Sequence, residues 1–228
     1  AVDVMKTRDS TNELLFSTTT TTTTANVVVV AKPDVSLSWE TTPTTTGNGP
    51  IARGYHAATM AGDLMVVFGG YKNSPVTDFG DLHALDITSW NWITLTTPTS
   101  SSANSPGSRR ESSITALGDL IIVYGGMRGS AVVSSIVYIL DTVALRQESK
   151  ISWQTPVPVQ DGHPSATGRC GHRAVALSDS LMLVYGGDTQ QPAPDRLSDD
   201  LLVYNMSSST WINLTVQGAS KPSERYRH

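Results

Sequence analysis

The chain has one cysteine, Cys170, among 228 residues, so no internal disulfide framework can staple it and its redox compartment stays open. Charged residues are scarce at 16%, and 16 Lys+Arg against 20 Asp+Glu leave a formal net charge of −4, which lacks the basic excess of a nucleic-acid binder. No window approaches the roughly eighteen apolar residues of a membrane-spanning helix. Ala1 to Ser10 has neither the basic start nor the apolar core of a signal peptide, and the first residue is alanine, which reads as a processed or excised segment. Catalytic signatures are missing too: there is no G-x-S-x-G, P-loop, H-E-x-x-H or Rossmann glycine pattern, and "GMRGS" at Gly126 is too short to cradle a phosphate. No stretch of ten residues shows a helical period.

What the chain does have is repetition. "GDLMVVFGG" from Gly62 returns as "GDLIIVYGG" from Gly118 and "DSLMLVYGG" from Asp179. Around it three anchors keep step. An Arg is followed three residues later by His or Ser: Arg53/His56, Arg109/Ser112, Arg169/His172 and Arg225/His228. A diglycine stands at Gly69 and Gly70, Gly125 and Gly126, Gly186 and Gly187. A tryptophan, Trp92, Trp153 or Trp211, follows the runs "DLHALD", "SIVYILD" and "DLLVYN". Each anchor advances by roughly 55 to 61 residues, a period found in repeat architectures.

Within one period the pattern reads as four short strands. "HAATMAG" leads to a Gly-Asp turn, "LMVVFGG" is a β-branched and aromatic run stopped by glycines, and "DLHALD" and "WNWITL" alternate. Four antiparallel strands, too narrow to bury a face alone, describe a propeller blade. The continuous apolar run marks a second strand buried on both faces between neighbouring blades. The diglycine lets the backbone leave the sheet at positive φ and leaves room for a bulky neighbour, expected to be a Trp.

These residues resemble the kelch repeat: the diglycine closing the second strand, the Trp roughly 23 to 28 residues later, and "R-x-x-H" opening the first strand, from about Thr11 to His228. The resemblance implies an all-β propeller of four-stranded antiparallel blades, with about three and a half blades present. It divides the chain into residues 1–40, a partial blade with a Thr-rich insertion; 41–98, 99–157 and 158–217, three blades; and 218–228, the start of another. In the first whole blade the strands run Tyr55 to Met60, Leu64 to Phe68, Asp81 to Asp86 and Trp90 to Thr96; the next two open at Ser112 to Leu117 and His172 to Leu177. Thr11 to Ser17 reads as a third strand and Trp39 as a fourth. A four-bladed closure of these halves would need a second strand that the sequence lacks. Two departures stand out: Ser112 replaces His, and "SSIVYILD" lacks the acidic lead of "DLHALD" and "DLLVYN".

For chemistry, Cys170 and His172 are two apart on an expected strand and would share a face, which could seed a metal site with His56 or His228. Because the repeat itself places these histidines, packing is the better reading, and neither metal nor cofactor is expected. Kelch-type propellers include copper-radical oxidases, yet no spacing marks Tyr55, Tyr226, Cys170 or the histidines as ligands. Alternating strand direction puts the starts of first strands and the loops after second strands on one face. That face carries Arg53, Arg109, Arg110, Arg169, Arg225 and Arg227, with Tyr71, Lys72, Asn73, Met127, Arg128, Gln190, Gln191 and Arg196 on the loops. Arginine forks favour carboxylates. The recurrent arginines are expected to pair with acids of adjacent blades such as Asp63, Asp119 or Asp179, which leaves Arg110, Arg128 and Arg196, outside the repeat, as partner-binding candidates. The expected function is a non-enzymatic scaffold for other protein chains, the rest of its own propeller or carboxylate-rich peptides; the alternative is the propeller portion of a secreted carbohydrate-related or copper-radical enzyme. Sequons at Asn205 and Asn213, with Ser/Thr/Pro-rich linkers, tilt the setting slightly towards extracellular.

Overall fold

The computed structural model describes residues 7–8, 14–15, 44–96, 104–132, 135–154, 167–192, 196–215 and 222–227. The chain divides into Ala1–Thr41 and Thr42–His228. In the first unit β1 (Thr7–Arg8) pairs antiparallel with β2 (Leu14–Leu15), a partner the repeat pattern did not place. Trp39 and the Thr-rich tract lie outside the described residues.

The second unit is built of blades. The first is a four-stranded antiparallel sheet in chain order: β3 (Ala57–Ala61), β4 (Leu64–Asn73), β5 (Val76–Asp86) and β6 (Asn91–Ile93). Here β4 does not stop at the diglycine. It passes through a register shift between Phe68 and Gly70 and runs on to Asn73, so β4 and β5 extend as a hairpin beyond the blade.

The second blade contains β7 (Ser113–Leu117) and β8 (Leu120–Tyr124). The hairpin β9 (Met127–Arg128) and β10 (Ala131–Val132) follows, and then β11 (Tyr138–Asp141). Its sheet, β11-β8-β7, has three named strands, with the fourth reduced to a Leu140–Trp153 bridge. The cause is an insertion. Trp92 and Trp211 come six residues after Asp86 and Asn205, but Trp153 comes twelve after Asp141. The extra residues form α1 (Thr142–Glu148), capped by the Asp141 carboxylate, which accepts from the N–H groups of Val143 and Ala144 at 2.8 and 3.2 Å. Leu145 from this helix is buried in the core. In the other blades the same position caps a short turn: Asp86 accepts from Thr88 and Ser89, and Asn205 from Ser207 and Ser208.

The third blade, β12 (Arg173–Ala176), β13 (Leu181–Tyr185), β14 (Leu201–Asn205) and β15 (Thr210–Asn213), is again four-stranded in chain order. Strand β8 shows the expected double burial. Ile121 and Val123 join Val66, Phe68 and Ala84 of the first blade, while Ile122 and Tyr124 join Met182, Val184 and Leu202 of the third.

The diglycine serves a different neighbour from the one expected. Gly70, Gly126 and Gly187 each donate their N–H to the carbonyl of the next repeat's arginine, Arg109, Arg169 and Arg225, at 2.9, 2.8 and 2.9 Å. A Cβ on Gly69 or Gly125 would overlap that same carbonyl oxygen, and both residues are left-handed, at φ +67° and +64°. Backbone, with the side chains of His56, Ser112 and His172, and not tryptophan, fills the space. Trp153 and Trp211 pack one residue earlier, on Phe68 and Tyr124 of the preceding blade, while Trp92 lies against Gly49.

Candidate functional site

The recurrent arginines secure their own blades rather than bonding Asp63, Asp119 or Asp179. Arg53, Arg109 and Arg169 donate Nη1 to the carbonyl of Gly69, Gly125 and Gly186 at 3.1, 3.0 and 3.0 Å. Arg53 and Arg169 then reach the acid that leads their own third strand, Asp81 at 2.5 Å and Asp200 at 3.2 Å. Burial alone would raise the Asp81 carboxyl, but the hydrogen bonds from Arg53 and His83 hold it below its usual value. In the second blade that acid is Ile136, and Arg109 is correspondingly different. Its guanidinium is buried over the Tyr138 ring at 4.9 Å, bonded to the Pro106 carbonyl, with Nε lacking a partner. Burial lowers its pKa, and Tyr138 partly offsets this.

The loops after the second strands are laced together. Asp78, from β5, pairs with Arg110 and accepts the Gly129 N–H at 2.7 Å. Arg110 also donates to the Gly129 carbonyl and lies 4.6 Å over the Tyr71 ring, whose hydroxyl bonds Asn73 at 3.1 Å. The Gln190 side chain accepts the Val132 N–H at 2.8 Å and donates to the Ser130 carbonyl at 2.9 Å. Three blades thus share one tied rim. Of the candidates outside the repeat, Arg110 is a clamp between blades and Arg196 is paired with Asp188 at 3.0 Å, whose hydrogen bond raises the Arg196 pKa. Arg128 is exposed and has no carboxylate partner among the described residues. Lys72 is half-buried on β4, and the Gln191 N–H turns back to the Thr189 hydroxyl at 3.4 Å.

A second set of linked residues, one from each repeat, was not flagged by the sequence pattern. Two residues after each arginine stand Tyr55, Glu111, Gly171 and Arg227, all left-handed, at φ 55°, 57°, 63° and 53°. They are strung together by backbone bonds: Glu111 N–H to Tyr55 C=O at 2.9 Å, Gly171 to Glu111 at 3.0 Å, Arg227 to Gly171 at 2.8 Å. The Glu111 side chain is only 3% exposed and binds Arg227 through Oε1 and the Tyr226 hydroxyl through Oε2. The Arg227 guanidinium lies 4.9 Å from the Tyr55 ring centre and 4.6 Å from that of Tyr226. Burial and the Glu111 bond push the Tyr226 hydroxyl up. Burial, then the Glu111 and Asp188 charges, push the Cys170 thiol to about 11.

Cys170 and His172 do not share a face. The left-handed Gly171 between them breaks the alternation, and β12 begins only at Arg173. His172 is buried, 2.9 Å from the Ser113 hydroxyl and edge-on to Tyr124, a packing role. Among the described residues no group of three or more His, Cys, Asp or Glu side chains is arranged to hold a metal ion. His228 lies outside the described residues. The Asn205 Oδ1 is engaged in its turn, and Asn213 is exposed at the end of β15.

The recurring seam of arginine, diglycine and paired backbone is matched by a family model, the KLHDC2/KLHL20/DRC7 Kelch-repeats domain, over residues 12–228. The chain belongs to the kelch-repeat family. It is similar to acyl-CoA-binding domain-containing protein 4 of Arabidopsis thaliana, at 27% identity over 82% of this chain and 27% of the relative. Acyl-CoA-binding domain-containing protein 5 of the same plant is 25% identical over 88% of this chain and 38% of its own. Human kelch domain-containing protein 3 is 28% identical over 81% and 46%. This kelch chain therefore spans less than half the length of each relative named here.

Proposed function

We propose that this kelch segment is a protein-interaction scaffold whose tied loop rim binds carboxylate-bearing partners through Arg128, exposed and without a carboxylate partner among the described residues, and through Lys72 on β4. The observation that carries the reading is the lacing itself: Asp78, Arg110 and Gln190 fix neighbouring loops, so the rim is preorganised while Arg128 stays exposed. A preordered surface loses less entropy on association. The relatives support a role that is not one chemistry, because proteins named for an acyl-CoA-binding domain, for a phosphatase and for kelch repeats alone all share similarity with this chain. No helix among the described residues is long and apolar enough to cross a membrane. The oxidase alternative has no supporting side-chain cluster among the described residues.

The test is a Lys72→Glu, Arg128→Glu double variant, checked by circular dichroism and then probed on an array of acidic and neutral peptides. Binding of acidic peptides should fall by about tenfold, since a desolvated charged hydrogen bond exceeds the sub-kcal value of an exposed pair. Unchanged binding would move the surface elsewhere. Arg110→Glu is the contrasting variant: it repels Asp78 and should disturb the rim's fold.

A further inference from the structure

We propose that Tyr55, Glu111 and Tyr226 form a guanidinium-binding site at the centre of the loop face, held in this structure by the chain's own Arg227, and that an arginine presented by a partner can take its place. The site is distinct from the rim and reads the opposite charge.

Three observations converge on this chemistry. Among the described residues the anion touching the Arg227 head is the Glu111 carboxylate, with 3% side-chain exposure, and its two oxygens are taken by Arg227 and by the Tyr226 hydroxyl. A buried carboxylate stripped of its cation is strongly destabilised, so the pocket favours any cation of the same shape. The two ring faces, at 4.9 and 4.6 Å, select a flat delocalised cation over a compact ammonium, because guanidinium stacks and is weakly hydrated.

Access and freedom of the side chain complete the case. The Arg227 side chain is 47% exposed and Tyr55 is 51% exposed, so the head is reached from solvent. Its backbone is fixed independently, by the N–H bond to Gly171 at 2.8 Å, so the side chain can leave without unseating the ring of left-handed residues. The tethered Arg227 competes at an effective concentration in roughly the millimolar range. A free arginine therefore fills the site only when Arg227 is removed, whereas a partner's arginine needs added rim contacts to displace it.

Cys170 reports on the site, being buried and close enough to Tyr226 and Arg227 for both to influence its thiol. The experiment uses Arg227→Ala in the full chain, with N-acetyl-argininamide as probe and the rate of Cys170 reaction with a thiol reagent as readout. The variant loses a cation that lowers the thiol pKa and leaves the Glu111 charge uncompensated beside it, so it should label about tenfold slower than the parent, and N-acetyl-argininamide should restore the rate, N-acetyl-lysinamide much less. The Glu111→Gln, Arg227→Ala double variant should not respond to the probe. No restoration by argininamide, or equal acceleration in the double variant, would overturn the proposal. Should Arg227→Ala lose its β spectrum, Arg227→Gln keeps a planar head without the charge, and argininamide must then speed its slowed labelling for the proposal to stand.

Discussion

Strands β8 and β13 have nearly the same sequence, "LIIVY" and "LMLVY", but different surroundings. In β8 the four residues Ile121, Ile122, Val123 and Tyr124 are all at 0% exposure, because blades cover both faces. In β13 only Met182 and Val184 are buried, while Leu181, Leu183 and Tyr185 are half-exposed. The register Val175–Leu183–Val203–Ile212 puts these residues on the face away from the second blade, where the outer strands are open, Val175 at 54% and Ile212 at 44%, and only the central Val203 is buried. Nearly the same apolar strand thus reaches different burial: described blades cover both faces of β8 and one face of β13.

The comparison can be pressed hardest at the tryptophans. Trp211 is buried, 4.8 Å from Tyr124, and Trp211→Ala should cost about 3–5 kcal/mol, whereas Trp92→Ala, at a side chain that is only half-buried, should cost less than half as much in denaturant unfolding. Next come the aliphatic strands: Ile122→Ala should cost about 2–4 kcal/mol and Leu183→Ala under about 1.5 kcal/mol. Equal losses would mean that the two faces are not different environments.

A smaller gain should come from repairing the second blade. Ile136→Asp supplies the acid that Asp81 and Asp200 provide elsewhere, and pairing the buried Arg109 should raise stability by about 1–2 kcal/mol, read as a higher melting temperature. The smallest effect is acid sensitivity. Hydrogen bonds from the Thr88 hydroxyl and the Thr88 and Ser89 backbone hold Asp86 at about 2, below the usual aspartate range. Its support of the first blade's turn is complete above that range and is lost as pH falls towards 2. The third blade, capped there by Asn205, has no such term. Amide exchange should therefore loosen in residues 86–91 before residues 205–210 on acidification.

Much of this was legible. The second-strand runs, the diglycine and the Arg anchor recur because each blade must solve the same packing problem; the acid missing from the head of "IVYILD" was visible, but its consequence for Arg109 emerged only in the structure. The helix Thr142–Glu148 was hidden because two turns are too short to declare a period and its cap, Asp141, is also the usual end of a third strand. The extension of β4 past Gly70 was hidden because a bulge has the same glycine signature as a stop. The ring of Tyr55, Glu111, Gly171 and Arg227 escaped for another reason: only its backbone conformation repeats, so its side chains share no pattern. A lone Glu in "RRES", where the other repeats have Tyr, Gly and Arg, was the available signal.

The central claim is that the diglycine exists to admit the next blade's backbone, and one pair of variants tests it directly. Gly125 and Gly107 have similar left-handed φ values, +64° and +70°, but a Cβ on Gly125 would strike the Arg169 carbonyl and one on Gly107 meets nothing within 4 Å. Gly107→Ala should cost only the conformational term of about 1–2 kcal/mol. Gly125→Ala should cost that plus the parting of two blades, about 4 kcal/mol or more in equilibrium unfolding. Equal costs for the two substitutions would contradict the account and leave the diglycine as nothing more than a turn.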